Sequence, residues 1–332
     1  MNNEFIENRK IKIAAVVGPT ASGKSALATE LAIRYGGEIV SCDSMQVYRG
    51  LDIGTAKSTK AEMRGIPHHM TDATDPREDF SCADYAEMAE KAVEDILSRG
   101  KLPIFCGGTG LYLDSFLRGV RDDGAIRDEA VRAELAEYAE KNGAEALHKK
   151  LREVDPEAAD AIHPNNVKRV IRALEVFRVS GKTKTELDRL SREKECEYDP
   201  LIICLKAENR ELLYRRIDRR AEEMMKKGLE NEVRDLYARG MLPENSTAAQ
   251  AIGYKEMIAC IKGEITAEEA LDEIKLASRR YAKRQETWFG CRENVNFITI
   301  DDGHQTKTFE EIVNNAVKLF NSFGFCDILN KM

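Results

Sequence analysis

The chain has 332 residues, 42% of them hydrophobic and 33% charged, which is enough apolar material for about two domains and excludes a wholly disordered protein. With 58 acidic and 51 basic residues, the formal net charge of −7 excludes a globally basic protein that coats nucleic acid, although it permits a local basic face. No stretch approaches the roughly 20 apolar residues that span a bilayer, and the N-terminus lacks signal-peptide features, so we expect a cytoplasmic protein with no membrane partner.

The first part of the chain alternates strand, turn and helix. A β-branched run at residues 11–17 ends at a glycine and precedes a helical pattern, and further strand-like runs follow at 38–40 and 102–106. This alternation predicts an α/β fold in which a parallel sheet is flanked by helices on both faces.

The pattern changes to continuous helical signals between about residues 126 and 190. Strand-like runs return at 201–205 and 296–300, separated by charged helices, and a last helix begins near Thr308.

Two domains follow from this order of elements. We expect residues 1–120 and 200–332 to form one discontinuous α/β core that carries basic helices near its C-terminus. Residues 121–199 are predicted to form an all-helical insertion domain.

A phosphate-binding motif lies between the first strand and the first helix. The pattern G-x-x-x-x-G-K-[ST] is matched by Gly18, Pro19, Thr20, Ala21, Ser22, Gly23, Lys24 and Ser25. Its glycines let backbone N–H groups converge on one anion, Lys24 adds a positive charge, and the Ser25 hydroxyl can hold Mg²⁺ between two phosphates. The segment predicts a P-loop for a di- or triphosphate, and the motif alone leaves open whether that ligand is ATP or another pyrophosphate ester.

Two polar residues follow other strands of the predicted sheet. Asp43 comes just after the second strand and Thr109 just after the third, where loops at the carboxyl ends of parallel strands line a ligand crevice. Asp43 is therefore either a general base that faces the P-loop ligand or the cap of a turn, and Thr109 either a crevice hydrogen-bonding group or part of a glycine-rich turn. His68 and His69 lack a third ligand at metal-binding spacing and are interpreted as structural.

Three stretches are locally basic despite the acidic total. They are the segment with Lys168, Arg169 and Arg172, the cluster Arg215, Arg216, Arg219 and Arg220, and the segment with Lys275, Arg279, Arg280, Lys283 and Arg284. Solvated helix faces explain such runs, but three of them beside one phosphate pocket favour an extended polyanion such as RNA.

The motifs together resemble one family, the tRNA dimethylallyltransferases. The resemblance extends over nearly the whole chain and is carried by GPTASGKS, SCDSMQVYRGLDIGTAK, GIPHHM, CGGTGLY, HPNNVKRVIRALEVF, QAIGYKE and SRRYAKRQETWF. It implies a P-loop NTPase-like core with a helical insertion, and it favours active roles for Asp43 and Thr109.

The resemblance also implies a reaction. Members of the family transfer the dimethylallyl group of dimethylallyl diphosphate to N6 of adenosine 37 in the tRNA anticodon loop. By this resemblance the P-loop and Arg220 hold the diphosphate with Mg²⁺ on Ser25, Asp43 is the general base, and Lys24 and Thr109 belong to the catalytic group.

The resemblance further implies a monomer that contacts the anticodon stem-loop of tRNA. The residues that correspond to tRNA contacts are Asp43, Ser44, Met45, Gln46, Thr109, Arg132, Lys168, Arg169, Val170, Ile171, Arg172, Gln250, Gly253, Lys255, Ser278, Arg279, Arg280, Lys283, Arg284 and Gln285. The chain departs from the family at Lys168, where Gln is common, at Gly290, where Arg often follows the Trp-Phe pair, and at Ser25, where Thr is usual.

Two alternatives from other classes remain at this point. An ATP-dependent kinase of a small metabolite would use the same P-loop, with Asp43 orienting a hydroxyl, but would give the basic helices no clear purpose. An RNA-binding protein switched by ATP would need no chemical role for Asp43 and would bind ATP tightly.

Overall fold

The computed structural model of the protein describes residues 10–118, 126–193 and 196–325. Contacts divide the chain into two compact units. The α/β unit comprises Met1–Phe80, Met88–Asp114 and Tyr198–Met332, and the helical unit comprises Ser81–Glu87 and Ser115–Glu197. The predicted start of the insertion domain at residue 121 lies outside the described residues.

The α/β unit is built on a six-stranded parallel sheet with strand order β3-β2-β4-β1-β5-β6. Its strands are β1 Ile11–Val17, β2 Gly37–Ser41, β3 His68–His69, β4 Leu102–Gly107, β5 Tyr198–Lys206 and β6 Val295–Thr299. The predicted α/β class is confirmed, and so are the five strand runs foreseen from apolar patterning. The short edge strand β3 was missed, because two histidines carry no strand pattern.

The helices in the described residues begin and end as follows: α1 Lys24–Tyr35, α2 Lys60–Met63, α3 Cys82–Ser98, α4 Gly110–Arg118, α5 Glu129–Asn142, α6 Ala144–Val154, α7 Pro156–Ala161, α8 Val167–Ser180, α9 Lys184–Glu193, α10 Arg210–Lys226, α11 Leu229–Ala238, α12 Tyr254–Ile261, α13 Ala267–Gly290 and α14 Phe309–Ser322. None of these helices has the length and apolar character that a membrane span requires.

The centre of the sheet is a continuous apolar layer. From Ile13 to Val17, β1 is fully buried between β4 and β5, as expected for a strand covered on both faces. On one face α1 packs beside α14, where the rings of Tyr35 and Phe320 lie 4.8 Å apart. Because the strands run parallel, the carboxyl ends of β1, β2 and β4 lie along one edge of the sheet, where the polar loops follow.

The helical unit has its own core. Leu135 of α5, Leu147 and Leu151 of α6 and Leu174 of α8 are buried together. Glu175 is fully buried within the same unit and accepts a hydrogen bond from the backbone N–H of Asp128 at 2.9 Å. A buried carboxylate of this kind requires cationic partners, which Arg132 and Arg172 supply.

Candidate active site

The P-loop leaves the sheet at the end of β1. Gly18 has φ +138°, and a β-carbon on it would lie 2.7 Å from the carbonyl oxygen of Leu205 on the neighbouring strand, so a larger residue does not fit. Gly23 has φ +94° and forms the N-cap of α1, which begins at Lys24. The loop therefore presents its backbone N–H groups at a helix N-terminus, the usual arrangement of an anion site.

Two side chains inside the loop are withdrawn from water. Lys24 is buried, and its Nζ donates to the carbonyl oxygen of Pro19 at 3.3 Å. Burial, and after it the nearby Arg220 guanidinium, lower the pKa of Lys24 below its usual 10.5. The Ser22 hydroxyl is also buried and has no hydrogen-bond partner among the described residues.

Asp43 lies in the loop that follows β2. Its Oδ1 accepts a hydrogen bond from the backbone N–H of Met45 at 3.0 Å. The Thr109 hydroxyl accepts from the backbone N–H of Ser44 at 3.0 Å and donates to the Ser44 hydroxyl at 3.2 Å, and it is also hydrogen-bonded to Tyr281. The structure thus brings together the loops of Asp43 and Thr109, as predicted, and adds Tyr281, which sequence reasoning did not select.

A cavity of about 240 Å³ opens beside these loops and is lined by Asp43, Ser44, Met45, Arg220 and Tyr281. Burial, and then the charge of Asp43, raise the pKa of Tyr281 to about 12, so its hydroxyl stays protonated near neutral pH.

Smaller and larger cavities continue from this one towards the P-loop. A cavity of about 50 Å³ shares Asp43, Arg220 and Tyr281 with it and adds Lys24 and Ser25. A wider cavity of about 680 Å³ is lined by Lys24, Ser25 and Arg220. Because Arg220 lines all three cavities, it lies beside both the cavity of Asp43 and the cavities of the P-loop.

Arg220 is held by a backbone oxygen rather than by an acid. It projects from α10, and its Nη2 donates to the carbonyl oxygen of Thr55 at 3.4 Å. The same oxygen accepts from the Gln46 side chain at 3.2 Å, and Gln46 in turn accepts from the Ser41 hydroxyl at 3.2 Å. Burial lowers the pKa of Arg220, while the charge of Asp43 opposes that shift.

Gln285 bridges the P-loop and the glycine turn after β4. Its Oε1 accepts from the backbone N–H of Thr20 at 2.8 Å, and its Nε2 donates to the carbonyl oxygen of Gly108 at 3.1 Å. A β-carbon on Gly108 would lie 1.8 Å from that Nε2, which explains the glycine. Gln285 is only 4% exposed, so in this structure its amide serves the internal bridge.

The loop that carries Thr55 is fixed by a carboxylate that sequence reasoning missed. Glu232 on α11 accepts hydrogen bonds from the backbone N–H groups of Ile53 at 2.8 Å and Gly54 at 3.3 Å. The buried hydroxyl of Tyr254 donates to the same carboxylate at 2.6 Å. Tyr254 belongs to the QAIGYKE motif, and Ile53 and Gly54 belong to the end of the SCDSMQVYRGLDIGTAK segment. Nothing in the spacing of these two motifs indicates that Glu232 joins them.

Known proteins resemble this chain over most of its length. The model of the family described as IPP transferase matches residues 46–293. The tRNA dimethylallyltransferase of Caldanaerobacter subterraneus subsp. tengcongensis is 47% identical over 306 residues, which cover 92% of this chain and 96% of that protein. The tRNA dimethylallyltransferase of Halalkalibacterium halodurans is also 47% identical and covers 92% of this chain and 96% of its own length.

Solved structures give the same result. The full-length tRNA isopentenylpyrophosphate transferase of Bacillus halodurans matches with a TM-score of 0.70 at 42% identity, over 97% of this chain and 99% of that one. A eukaryotic dimethylallyltransferase acting on tRNA matches with a TM-score of 0.80 at 28% identity, over 94% of this chain and 79% of that one. The chain belongs to the IPP transferase family. The resemblance seen in the sequence is confirmed, and the kinase alternative finds no support among these relatives.

In this IPP transferase family member, the basic helix α13 carries some cations that are paired with acids and others that are exposed. Arg279 is ion-paired with Asp218, its Nε lying 2.9 Å from Oδ1, and Lys275 pairs with Glu222 at 2.8 Å. Arg280, Lys283 and Arg284 are exposed, and within the described residues none of the three has an acidic partner. The latter three are therefore the cations of α13 that are available to a polyanion.

The remaining predicted tRNA contacts of the α/β unit lie beside the cavity that Asp43 lines or on α12. Gln250 and Ser278 line the 240 Å³ cavity, and Lys255 is exposed on α12. Gly253 is buried with φ +96° at the N-cap of α12, so its part in the site is to shape the turn.

In the helical unit the predicted contacts also divide into two sets. Lys168 and Arg169 are exposed at the start of α8, whereas Val170 is fully buried in the core and Ile171 packs against that core. Arg132 and Arg172 reach the buried Glu175 at 2.9 Å and 2.7 Å. Among the predicted tRNA contacts of this unit, Lys168 and Arg169 are therefore the two whose side chains are exposed.

The two histidines of the GIPHHM motif have partners inside the fold. His69 Nε2 lies 2.7 Å from Glu38 Oε2, and His68 Nδ1 lies 2.9 Å from the carbonyl oxygen of Ile66. Within the described residues no group of three or more His, Cys, Asp or Glu side chains could hold a metal ion. These contacts agree with the interpretation of both histidines as structural.

Proposed function

We propose that the protein transfers the dimethylallyl group of dimethylallyl diphosphate to N6 of adenosine 37 in the tRNA anticodon loop, giving N6-isopentenyladenosine and diphosphate. The observation that carries the proposal is the shared cavity system, in which Asp43, the P-loop lysine and Arg220 line one cavity. The names of the relatives, tRNA dimethylallyltransferase and tRNA isopentenylpyrophosphate transferase, support the same reaction.

The proposed chemistry uses Asp43 on the acceptor side. The exocyclic amine of adenine is a weak nucleophile because its lone pair is delocalised into the ring. As N6 bonds to the first carbon of the allyl group, its proton passes to the Asp43 carboxylate, an assistance that typically contributes about 10²–10⁴-fold. The backbone N–H of Met45 holds this carboxylate at the cavity wall.

The donor side uses the P-loop and its neighbours. The bond between the allyl carbon and oxygen breaks with its electron pair moving to the diphosphate. Backbone N–H groups of the P-loop, Lys24 and Arg220 stabilise that growing negative charge, and their burial strengthens the effect. The buried Ser22 hydroxyl, which has no partner among the described residues, fits an additional contact to an anion.

The residues also fit a magnesium ion that is bound mainly through the substrate. Ser25 offers a hydroxyl in both P-loop cavities, and within the described residues there is no all-protein cluster for a metal. Mg²⁺ typically keeps few protein ligands and binds through substrate phosphates and water. When bound to Ser25 and the diphosphate, it would add positive charge at the leaving group.

The tRNA side of the proposal rests on exposed cations and on base flipping. The target adenine has to leave its stack to reach Asp43, at a cost of a few kcal/mol that is least in a single-stranded loop. We assign RNA backbone contacts to Lys168 and Arg169 of the helical unit and to Arg280, Lys283 and Arg284 of α13. The protein is proposed to act in the cytoplasm as a monomer.

A product assay tests the reaction directly. Purified protein is incubated with Mg²⁺ and unmodified tRNA, together with either dimethylallyl diphosphate or ATP, and the digested RNA is analysed by mass spectrometry. We expect N6-isopentenyladenosine in the sample with the allyl donor alone. Consumption of ATP without a modified nucleoside would overturn the proposal in favour of a kinase.

Replacement of Asp43 tests the general base. We expect Asp43→Ala and Asp43→Asn to reduce turnover at least about tenfold while the Kd for tRNA changes little, because the lost group acts on the N6 proton. Asp235→Asn is the matched control, since Asp235 is exposed on α11 and pairs with Arg239. Equal losses of turnover and tRNA affinity in the Asp43 variants would instead indicate a binding role.

A further inference from the structure

Trp288 is a large aromatic side chain at the surface of α13. It is 41% exposed, and it is the only tryptophan in the chain. A β-carbon on Gly110 would lie 2.2 Å from both Cδ1 and Nε1 of the indole, so the ring rests directly on the backbone of the glycine turn after β4. An exposed ring held by a glycine seat is already ordered, which lowers the entropy cost of a contact.

The position of Trp288 on the helix connects it with the active site. Tyr281, Arg284 and Trp288 follow one another at spacings of three and four, which places them on one face of α13. Tyr281 and Arg284 line the cavity that holds Asp43, and Trp288 lies about 10 Å along the axis from Tyr281. Its seat, Gly110, directly follows Thr109, which is hydrogen-bonded to Tyr281.

The charge around Trp288 selects the kind of partner. Arg280, Lys283 and Arg284 lie one or two turns before it, all exposed and without an acidic partner in the described part of the chain. Arg284 also lies over the ring of Tyr281, 5.5 Å from its centroid. Cations that track a phosphate backbone beside an exposed aromatic face are the combination that binds single-stranded nucleic acid.

We propose that the indole of Trp288 is a stacking platform for an unpaired nucleobase next to the target adenosine. This inference rests on the proposed function and adds a contact to a base to the phosphate contacts assigned to Arg280, Lys283 and Arg284. When the target base leaves its stack, the neighbouring base loses a stacking partner, and an aromatic ring beside the cavity replaces it. Trp288 therefore stabilises the RNA loop with the adenine extruded, rather than the reacting atoms.

Fluorescence tests the contact in the unmodified protein. Because Trp288 is the only tryptophan, we expect its emission to be quenched on titration with an unmodified anticodon stem-loop RNA. An RNA with an abasic nucleotide on the stacking side of the target adenosine should still bind, about 5- to 100-fold more weakly, and should leave the emission nearly unchanged. Quenching that persists with an abasic nucleotide on either side would overturn the proposal.

Substitutions provide the second test. Trp288→Ala should weaken RNA binding about 5- to 100-fold, whereas Trp288→Phe, which keeps an aromatic face, should recover most of that loss. Leu276→Ala is the matched control, because Leu276 is 47% exposed on the same helix. Full recovery by an aliphatic residue in Trp288→Leu would indicate packing rather than stacking.

The two proposals fail differently. If the wild-type protein forms N6-isopentenyladenosine but Trp288→Ala binds RNA like the wild type, the reaction stands and the stacking platform is wrong. If the wild-type protein neither binds the stem-loop nor forms product, the proposed function is wrong and the stacking proposal falls with it. Circular dichroism of each variant separates loss of the contact from loss of the fold.

Discussion

At the scale of single residues, the site depends on a buried lysine and a partly buried arginine that lie near one carboxylate. Lys24 and Arg220 are both withdrawn from water, and burial lowers the pKa of each. A buried cation without an anion is costly, so these groups favour a ligand that restores their charge balance. The P-loop therefore holds its positive charge at a free-energy cost that diphosphate binding relieves.

This arrangement predicts proton uptake when diphosphate binds. The pKa of Lys24 is lowered in the free protein, and a bound anion raises it again. At pH values between the pKa of the free protein and the pKa of the complex, binding is therefore accompanied by the uptake of a proton. Calorimetry of inorganic diphosphate binding, in buffers of different ionisation enthalpy from about pH 7 to about pH 10, measures this uptake.

The direction of the pH dependence follows from the fact that diphosphate binds to the protonated form of Lys24. Below the lowered pKa the lysine is charged and affinity is fully present, and affinity is lost as the pH rises through that value. Lys24→Met should bind diphosphate more weakly and lose this part of the proton uptake. The same uptake in Lys24→Met and in the wild type would show that another group titrates.

At the scale of elements, the most informative segment is a loop rather than a helix or strand. The loop between Leu51 and Ser58 holds the carbonyl oxygen of Thr55 against Arg220. It has little regular structure of its own, so Glu232 supplies the acceptors for its backbone N–H groups, with Tyr254 as a further donor. A side chain on α11 thus sets the position of an active-site guanidinium on α10.

Replacement of Glu232 should therefore affect the donor side of the reaction. We expect Glu232→Ala to raise the KM for dimethylallyl diphosphate about 5- to 50-fold. The partly buried N–H groups of Ile53 and Gly54 then lose their acceptor, at up to about 1–3 kcal/mol each, and the loop shifts away from Arg220. Steady-state kinetics measures the KM for each substrate separately.

The controls distinguish positioning from general stability. Glu232→Gln keeps one acceptor oxygen and should recover part of the loss, whereas Glu230→Ala removes only a pair with Arg234 in the same helix and should change little. A lowered melting temperature with an unchanged KM for the donor would show that Glu232 serves only the fold.

At the scale of the whole molecule, the charge is acidic in total but locally basic. The net charge of −7 is compatible with RNA binding because Arg280, Lys283 and Arg284 are exposed together on α13. Several other cations in the described residues pair with acids, as Arg279 does with Asp218. The number of free cations, rather than the total charge, decides how strongly a polyanion binds.

The salt dependence of tRNA binding measures that number. Replacing Arg280, Lys283 and Arg284 together by Ala should weaken binding and reduce the slope of log K against log salt by about 2 to 3. The control removes the same charge elsewhere by replacing Arg234, Arg239 and Lys318 with Ala. Arg234 and Arg239 pair with acids on α11. An equal change of slope in both triple variants would assign the effect to net charge instead of to α13.

The elements differ in how far the sequence could predict them. The run at 11–17 and the helix after the P-loop were foreseen because a buried parallel strand is a continuous apolar run and the phosphate motif fixes a glycine turn before a helix. The edge strand at His68–His69 was missed because its polar side chains have internal partners that local patterning does not show. Which cations of α13 are paired was also beyond prediction, since Arg279 and Asp218 are 61 residues apart.

By itself, the sequence determined the α/β class, the P-loop, the family, and Asp43 and Thr109 as candidates, because each of these depends on residues that are close in the chain. Only the tertiary structure decided that Arg220 lines one cavity with Asp43 and Lys24, that Gln285 and Glu232 support the loops of the site, and that Trp288 rests exposed on Gly110. The physical reason is that these contacts join segments far apart in sequence, and burial and partners, which set the charge and availability of each side chain, exist only once those segments have packed together.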